Sequence, residues 1–262
     1  SVDVNPLIIR RDGRLVAVDA LVELTEPSPE PRGSERDGGT AAMANGLRAL
    51  FEPRGVLVTG ASSHPGKFGF VALHNLLASG YRGRVFATSL HGDEVLGVST
   101  VTDIDALPDG EIDLVFVCTP AASNAEILRS CARKGVRAAF VTSAGYGEAG
   151  ADGQRAQADL VALASELGIL LAGPNGQGLV STPVSLCAQI VAPYPPAGRI
   201  AVASQSGNLV SSFLNLSRAT GVGVSRAVSA GNAAAVGVAD YLEFFADDPA
   251  TSVSLAYIEG IS

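Results

Sequence analysis

The chain lacks tryptophan, has one methionine, and carries only three cysteines and three histidines in 262 residues. Cys118, Cys131 and Cys187 show no C-x-x-C spacing, which argues against a zinc ribbon or a dithiol redox pair and fits reduced thiols better than a disulfide framework. His64, His74 and His91 show no metal-ligand spacing. Positive charge is also short: 18 Lys and Arg against 26 Asp and Glu give a formal net charge of -8. No basic face suited to nucleic acid or an anionic membrane is evident. No apolar run is long and uninterrupted enough to span a bilayer, and no signal-peptide pattern is present. What is abundant is apolar residues, 47% of the total, enough for a sizeable core and more than one domain. The chain starts without methionine and stops just after a strand-like run, so it is expected to be a piece of a longer, cytoplasmic polypeptide.

Residues 53–79 organise the rest. Residues 55–59 are a short β-branched, apolar run, as a buried parallel strand should be. Gly60-Ala61-Ser62-Ser63-His64-Pro65-Gly66-Lys67 follows, rich in small residues and turn formers. From Lys67 the apolar residues Phe68, Ala72 and Leu76, beside Phe70, Leu73 and Leu77, recur at helical spacing. Strand, small loop and helix open a βαβ unit, whose helix N-terminus and loop amides suit a phosphate.

Before this unit, two apolar runs, 2–9 and 15–24, flank Asp12-Gly13 and predict a hairpin; Asn5 and Asp19 could face each other across it, though turn and edge polarity is the simpler reading of these polar residues. Residues 25–45 are rich in Pro, Gly and charge and predict a mobile linker, with 46–51 a short helix or turn. After it, strands are expected at 83–88, 97–101, 112–118, 136–142 and 169–172, with helices at 123–134, capped by Ser123 or Asn124, and at 151–167. Such alternation predicts a Rossmann-type, doubly wound parallel sheet over 46–192. Ligands of these sheets lie beyond the carboxyl ends of the strands, so the turns at Gly60, Thr88, Thr119, Ser143 and Gly173 should ring one crevice. A second α/β unit begins at 193, with strands at 199–203, 224–228 and 253–258 and the loops Ser204-Gln205-Ser206-Gly207-Asn208 and Ser229-Ala230-Gly231-Asn232.

The residues alone leave the first ligand open. A dinucleotide site calls for Gly-x-Gly-x-x-Gly and a carboxylate ending the second strand. Here the glycines are Gly60, Gly66 and Gly69, and Ala87-Thr88-Ser89 carries no carboxylate. Both features weigh against an NAD(P)-dependent oxidoreductase or sensor, which stands as the alternative reading.

Phe51-Glu52-Pro53-Arg54-Gly55-Val56, Gly60-Ala61-Ser62, Pro65-Gly66-Lys67 and Asn75-Leu76-Leu77 resemble the CoA-binding domain of the NDP-forming acyl-CoA synthetases, the superfamily of the succinyl-CoA synthetase alpha subunit. Thr119-Pro120-Ala121, Ser143-Ala144-Gly145, Gly173-Pro174-Asn175, Ser204-Gln205-Ser206-Gly207, Asp248-Pro249-Ala250-Thr251 and Tyr257-Ile258-Glu259-Gly260 follow in the family's order. The resemblance implies that 1–24 end an ATP-grasp domain, that 46–192 bind CoA, and that 193–262 begin a flavodoxin-like ligase domain.

The same resemblance implies an acid–thiol ligase that uses ATP or GTP with magnesium, makes or cleaves acyl-CoA through an acyl phosphate and a phosphohistidine, and works as an oligomer on a small carboxylic acid. Gly60, Ala61, Ser62, Ser63 and Lys67 would hold the phosphates of CoA; Thr119, Pro120, Ala121, Ser143 and Asn175 would line the rest of its path. Ser204, Gln205, Ser206, Gly207, Gly231 and Asn232 would face the phosphohistidine, and Glu259 would orient its ring. Asn5 and Asp19 would hold the magnesium, oxygen ligands suited to that hard cation. The phosphorylated histidine itself is expected after residue 262. The chain departs from the family pattern at Gly176 (a cysteine there), at Ser89-Leu90-His91 (Asn-Pro-Lys) and at Ala233 (lysine). A non-catalytic, CoA-sensing module is the third reading.

Overall fold

The computed structural model describes residues 36–191 and 193–260 and, before them, four short strands. β1 (Val2–Val4), β2 (Leu7–Ile9), β3 (Leu15–Ala17) and β4 (Ala20–Val22) pair antiparallel, β1 with β4 and β2 with β3. Val4 faces Ala20 and Leu7 faces Ala17, as expected for the arms of one hairpin. Asn5 and Asp19, the expected magnesium ligands, lie outside the described residues.

Helix α1 runs Arg36–Phe51, so 36–45 are not the coil expected of a linker. The physical reason is a stripe at helical spacing: Met43 packs on the core, and Leu47, Leu50 and Phe51 are buried in it. Gly46 lies so close to β10 (Leu170–Ala172) that an added Cβ would stand 2.6 Å from the Leu170 side chain.

The first sheet is six-stranded. Besides β10 it contains β5 (Gly55–Thr59), β6 (Arg84–Thr88), β7 (Thr100–Val101), β8 (Leu114–Val117) and β9 (Ala138–Val141). Its order is β10-β9-β8-β5-β6-β7, parallel throughout. Read by position in this domain the order is 3-2-1-4-5-6, that of a dinucleotide-type Rossmann sheet with its switch point beside β5. β7 is shorter than expected because Val95 and Val98 bond to each other in a tight turn of their own. Helix α2 (Phe68–Ala78) and α1 cover one face; α3 (Asn124–Arg133) and α4 (Ala151–Glu166) cover the other.

The second unit corrects the expected boundary at 192. β11 (Gly178–Ser181) and β12 (Leu186–Gln189) leave the first sheet and join β13 (Ala197–Ser204), β14 (Val224–Ser229) and β15 (Val253–Tyr257) in the order β12-β11-β14-β13-β15. β13 runs parallel to β14 and β15, whereas β11 is antiparallel to β12 and β14. Two strands joined by the short turn at Thr182–Val184 can only pair antiparallel, so this sheet is mixed. Helix α5 (Gly207–Thr220) packs on one of its faces and α6 (Val238–Ala246) on the other.

The units share a core. α2 lies between them, its Asn75 Nδ2 donating to the Gln189 carbonyl and Ser79 Oγ to that of Ser185, both at 2.8 Å. At the same junction Arg226, 1% exposed, donates to Asp248 at 3.1 Å, to Glu52 at 2.5 Å and to Ser181 Oγ. Burial alone would raise the Asp248 carboxyl; bonds from Arg226, Thr251 and the Ala250 amide overcome it and hold the group below the ordinary carboxylate range. The motifs at 51–55 and 248–251 thus meet on one buried guanidinium.

Candidate functional site

The carboxyl ends of β5, β8, β9 and β10 bring the turns after Thr59, Val117, Val141 and Ala172 to one edge of the sheet. Gly60 takes φ +71°, a conformation that favours glycine, and a Cβ on it would stand 3.0 Å from the Cys118 carbonyl. Gly69, in the first turn of α2, is tighter: its Cβ would lie 2.0 Å from the Gly60 carbonyl. These two glycines let helix and strand approach as closely as a phosphate loop requires.

The loop is tied mostly by its own atoms. The Ala61 amide donates to the Thr88 carbonyl at 2.8 Å. The His64 amide donates to Ser62 Oγ and the Gly66 amide to His64 Nδ1, both at 3.1 Å, and the Lys67 amide to the His64 carbonyl at 3.0 Å. That leaves the amides of Ser62 and Ser63, and those of Phe68 and Gly69 opening α2, with no acceptor among the described residues. α2 has no side-chain cap, and the exposed Lys67 makes no ion pair among the described residues. Free amides, a helix N-terminus and an ammonium with no ion-pair partner among the described residues, with no carboxylate in the loop, fit an anion such as a phosphate. His64 is a loop-forming residue.

The β8 and β9 turns meet in a polar network. Ser143 Oγ donates to the Thr119 carbonyl at 2.6 Å. Asn124, fully buried, donates to Tyr146 Oη at 2.8 Å and Ser143 Oγ at 3.1 Å, and accepts from Thr119 Oγ1 at 3.3 Å. Asn124 is therefore no helix cap; Ser123 holds the cap position without a side-chain bond. Pro120 is exposed and Ala121 half-buried beside this network. Cys118 supplies no nucleophile: burial pushes its thiol up to about 12, against an opposing bond to Thr142.

The β10 turn joins the two units. Gly173–Pro174 is a cis peptide, and Asn175 is exposed at φ +60° with its amide donating to the Ser143 carbonyl at 3.1 Å. Against this turn lies the loop after β14. The Asn232 amide donates to the Pro174 carbonyl at 2.9 Å, and a Cβ on Gly231, at φ +58°, would stand 2.2 Å from the same oxygen. The Asn232 side chain accepts from Asn175 at 3.2 Å and donates to Glu148 at 2.5 Å and to Gln157 at 2.9 Å. Gly231 and Asn232, expected at a helix N-terminus facing a phosphohistidine, are thus tied to the first unit, and α6 begins only at Val238.

The Ser204–Gly207 stretch does open a helix. Ser206 is at the N-cap of α5, and Ser204 Oγ accepts from the Ser206 amide at 3.1 Å. The Gln205 side chain accepts from the amides of Glu259, at 2.5 Å, and Gly260, at 3.1 Å, which brings Glu259 beside this loop with its own side chain exposed. Gln177, immediately before β11, accepts from Ser211 at 3.0 Å and donates to Asn208 at 3.3 Å. Sequence reasoning gave Asn124 only a cap position and assigned no role to Tyr146, Glu148, Gln157, Gln177 or Arg226. Their partners lie far along the chain, so no local pattern marks them. Among the described residues no cluster of three His, Cys, Asp or Glu could hold a metal, and no helix is long and apolar enough to cross a membrane.

Comparison with known proteins finds two matching regions along the chain. A family model for a CoA-binding domain matches residues 54–181, and one for a succinyl-CoA ligase like flavodoxin domain matches 197–262. The chain is 36% identical over 219 residues to the alpha subunit of an ADP-forming acetate–CoA ligase I of Pyrococcus furiosus, covering 82% of this chain and 47% of that one. An ADP-forming acetate–CoA ligase II of Archaeoglobus fulgidus is 30% identical over 264 residues, which takes in 100% of this chain and 37% of the relative. Among solved structures, a dinucleotide-forming acetyl-coenzyme A synthetase 1 of Candidatus Korarchaeum cryptofilum, in complex with phosphate and ADP, superposes with a TM-score of 0.79 at 33% identity, over 83% of this chain and 46% of that one. The chain spans about half the length, or less, of the relatives it matches.

Proposed function

The chain belongs to the NDP-forming acyl-CoA synthetases, and from that premise we propose that it is the CoA-binding part of an acid–thiol ligase that forms acyl-CoA from a small carboxylic acid at the expense of a nucleotide. One observation carries the reading. The amides of Ser62, Ser63, Phe68 and Gly69 and the Lys67 ammonium, all without a partner among the described residues, sit at the switch point of a Rossmann sheet that has no carboxylate ending its second strand. An anion fits there, while the ribose contact of a dinucleotide is missing.

In this reading Gly60, Ala61, Ser62, Ser63 and Lys67 hold the phosphate end of CoA. Thr119, Pro120, Ala121, Ser143 and Asn175 line the path of its arm. Bound CoA supplies the thiolate that takes the acyl group. The chain's own residues orient it: the Asn124 network fixes the two middle turns relative to each other, and the close approach of Gly69 to the Gly60 carbonyl holds the first loop against the start of α2. Ser206 and Gly207 put the positive end of α5 toward a phosphorylated group from the parent protein, with Glu259 alongside, held through Gln205. The nucleotide, its magnesium and the remaining ATP-grasp and ligase segments belong to that parent, which works as a cytoplasmic oligomer; Asn5 and Asp19 are its magnesium ligands on this chain.

Calorimetric titration tests the reading. CoA should bind and NADH should not. Absence of heat with millimolar CoA, or binding of NADH in its place, would refute it. Acid- and CoA-dependent nucleotide hydrolysis by the parent separates an enzyme from a CoA sensor.

A further inference from the structure

Asn175 and Asn232 are carboxamides, and a third residue decides which end of each faces its neighbour. Glu148 accepts from the amides of Gly145, at 2.5 Å, and Tyr146, at 3.2 Å, with one oxygen, and from Asn232 Nδ2, at 2.5 Å, with the other. Burial alone would raise this carboxyl, but the bond from Asn232 and those from the loop amides lower it below the ordinary carboxylate range. An ionised carboxylate only accepts. Gln157 Oε1, which takes the Gly147 amide at 3.1 Å, is likewise an acceptor toward Asn232 Nδ2 at 2.9 Å. Asn232 must therefore turn its amino group to Glu148 and Gln157 and its oxygen to Asn175. Asn175 must answer with its amino group, at 3.2 Å. Its own side-chain oxygen then accepts from no described residue, on an exposed turn at the carboxyl end of β10.

We propose that Glu148 sets the polarity of this relay, so that Asn175 presents a carbonyl oxygen to the crevice and reads a hydrogen-bond donor of the ligand, an amide N–H or hydroxyl of the pantetheine arm, and not a phosphate. Glu148 is a positioning residue and Asn175 a specificity-determining one. The inference rests on the CoA reading and adds to it the chemistry recognised at one point.

The test compares two ligands by calorimetry on the whole chain: CoA, and adenosine bisphosphate, the CoA fragment without the pantetheine arm. Glu148→Gln keeps the size of the side chain but can also donate, so it no longer forces the polarity of the relay. Glu148→Gln and Asn175→Ala should each weaken CoA roughly three- to tenfold. The double variant should be no weaker than Asn175→Ala alone, and adenosine bisphosphate should bind all of them equally. Equal weakening of both ligands, or additive losses, would mean general loosening and overturn the proposal. CoA binding indifferent to Glu148→Gln would overturn it alone, whereas absence of CoA binding by the unaltered chain would remove the CoA reading as well.

Discussion

The loops after β5 and β13 share one design, strand to small residues to helix, and differ in what holds them. The first is tied largely by itself, through Ser62, His64 and Lys67, with one bond to the neighbouring strand at Thr88. The second is held from outside. The Gln205 amide donates to the Tyr257 carbonyl at 3.1 Å, the Ala230 amide to the Ser204 carbonyl at 2.7 Å, and the Gln177 side chain, immediately before β11, bonds Asn208 and Ser211. A self-tied loop keeps its remaining amides for a ligand and contains the effect of a substitution. A loop held by other elements reports on their arrangement.

The largest effect should come from removing the clasp at the junction of the two units. Arg226→Ala strips Asp248 of its buried partner and should cost about 3–5 kcal/mol in chemical denaturation. A loss below about 1 kcal/mol would show that the junction does not depend on this pair. The next contrast sets Gly69 against Gly207. Gly69→Ala drives a Cβ into backbone, 2.0 Å from the Gly60 carbonyl, and should cost about 1–3 kcal/mol together with CoA binding. Gly207→Ala meets the Gln177 side chain at 2.4 Å, a group that can move aside, and should cost about 1 kcal/mol or less. Equal losses would erase the distinction between the loops.

Acid should act on the clasp as well. Asp248 lies below its ordinary value when folded, so its contribution is complete above the unfolded carboxylate range, about pH 4, and is lost as pH falls through the folded value. The stability gap between the unaltered chain and Asp248→Asn should therefore narrow below roughly pH 4 in denaturation curves taken across pH. A gap that stays constant into acid would contradict this assignment. The smallest effect concerns Tyr241, buried against Phe51 with no hydrogen-bond partner for its hydroxyl among the described residues. Tyr241→Phe should shift stability by no more than about 0.5 kcal/mol, toward the more stable side. A clear destabilisation would indicate a partner for that oxygen.

Much of the first sheet was legible because buried parallel strands read as continuous apolar runs, as in 55–59 and 114–117, separated by glycine-marked turns. The turn at Gly60 was legible because a glycine ends the apolar run 55–59. α1 was misread over 36–45 because two glycines and charges mask a stripe whose apolar members, from Met43 to Phe51, fall mostly in its second half. The hairpin 178–189 was assigned to the first unit because its strands follow β10 directly; only their pairing with β14 reveals where they belong. The relay through Glu148, Asn232 and Asn175 was out of reach, since it joins residues up to 84 apart in sequence.

The central claim is that the loop from Gly60 to Gly69 takes the phosphate end of CoA in a crevice shared with the turns at Thr119 and Gly173. Amide hydrogen exchange with and without CoA tests it most directly. Exchange should slow at Ser62, Ser63, Phe68 and Gly69 and in the turns at 119–121 and 173–175. Slowing confined to the second unit, or absent from the first loop while CoA is bound, would contradict it.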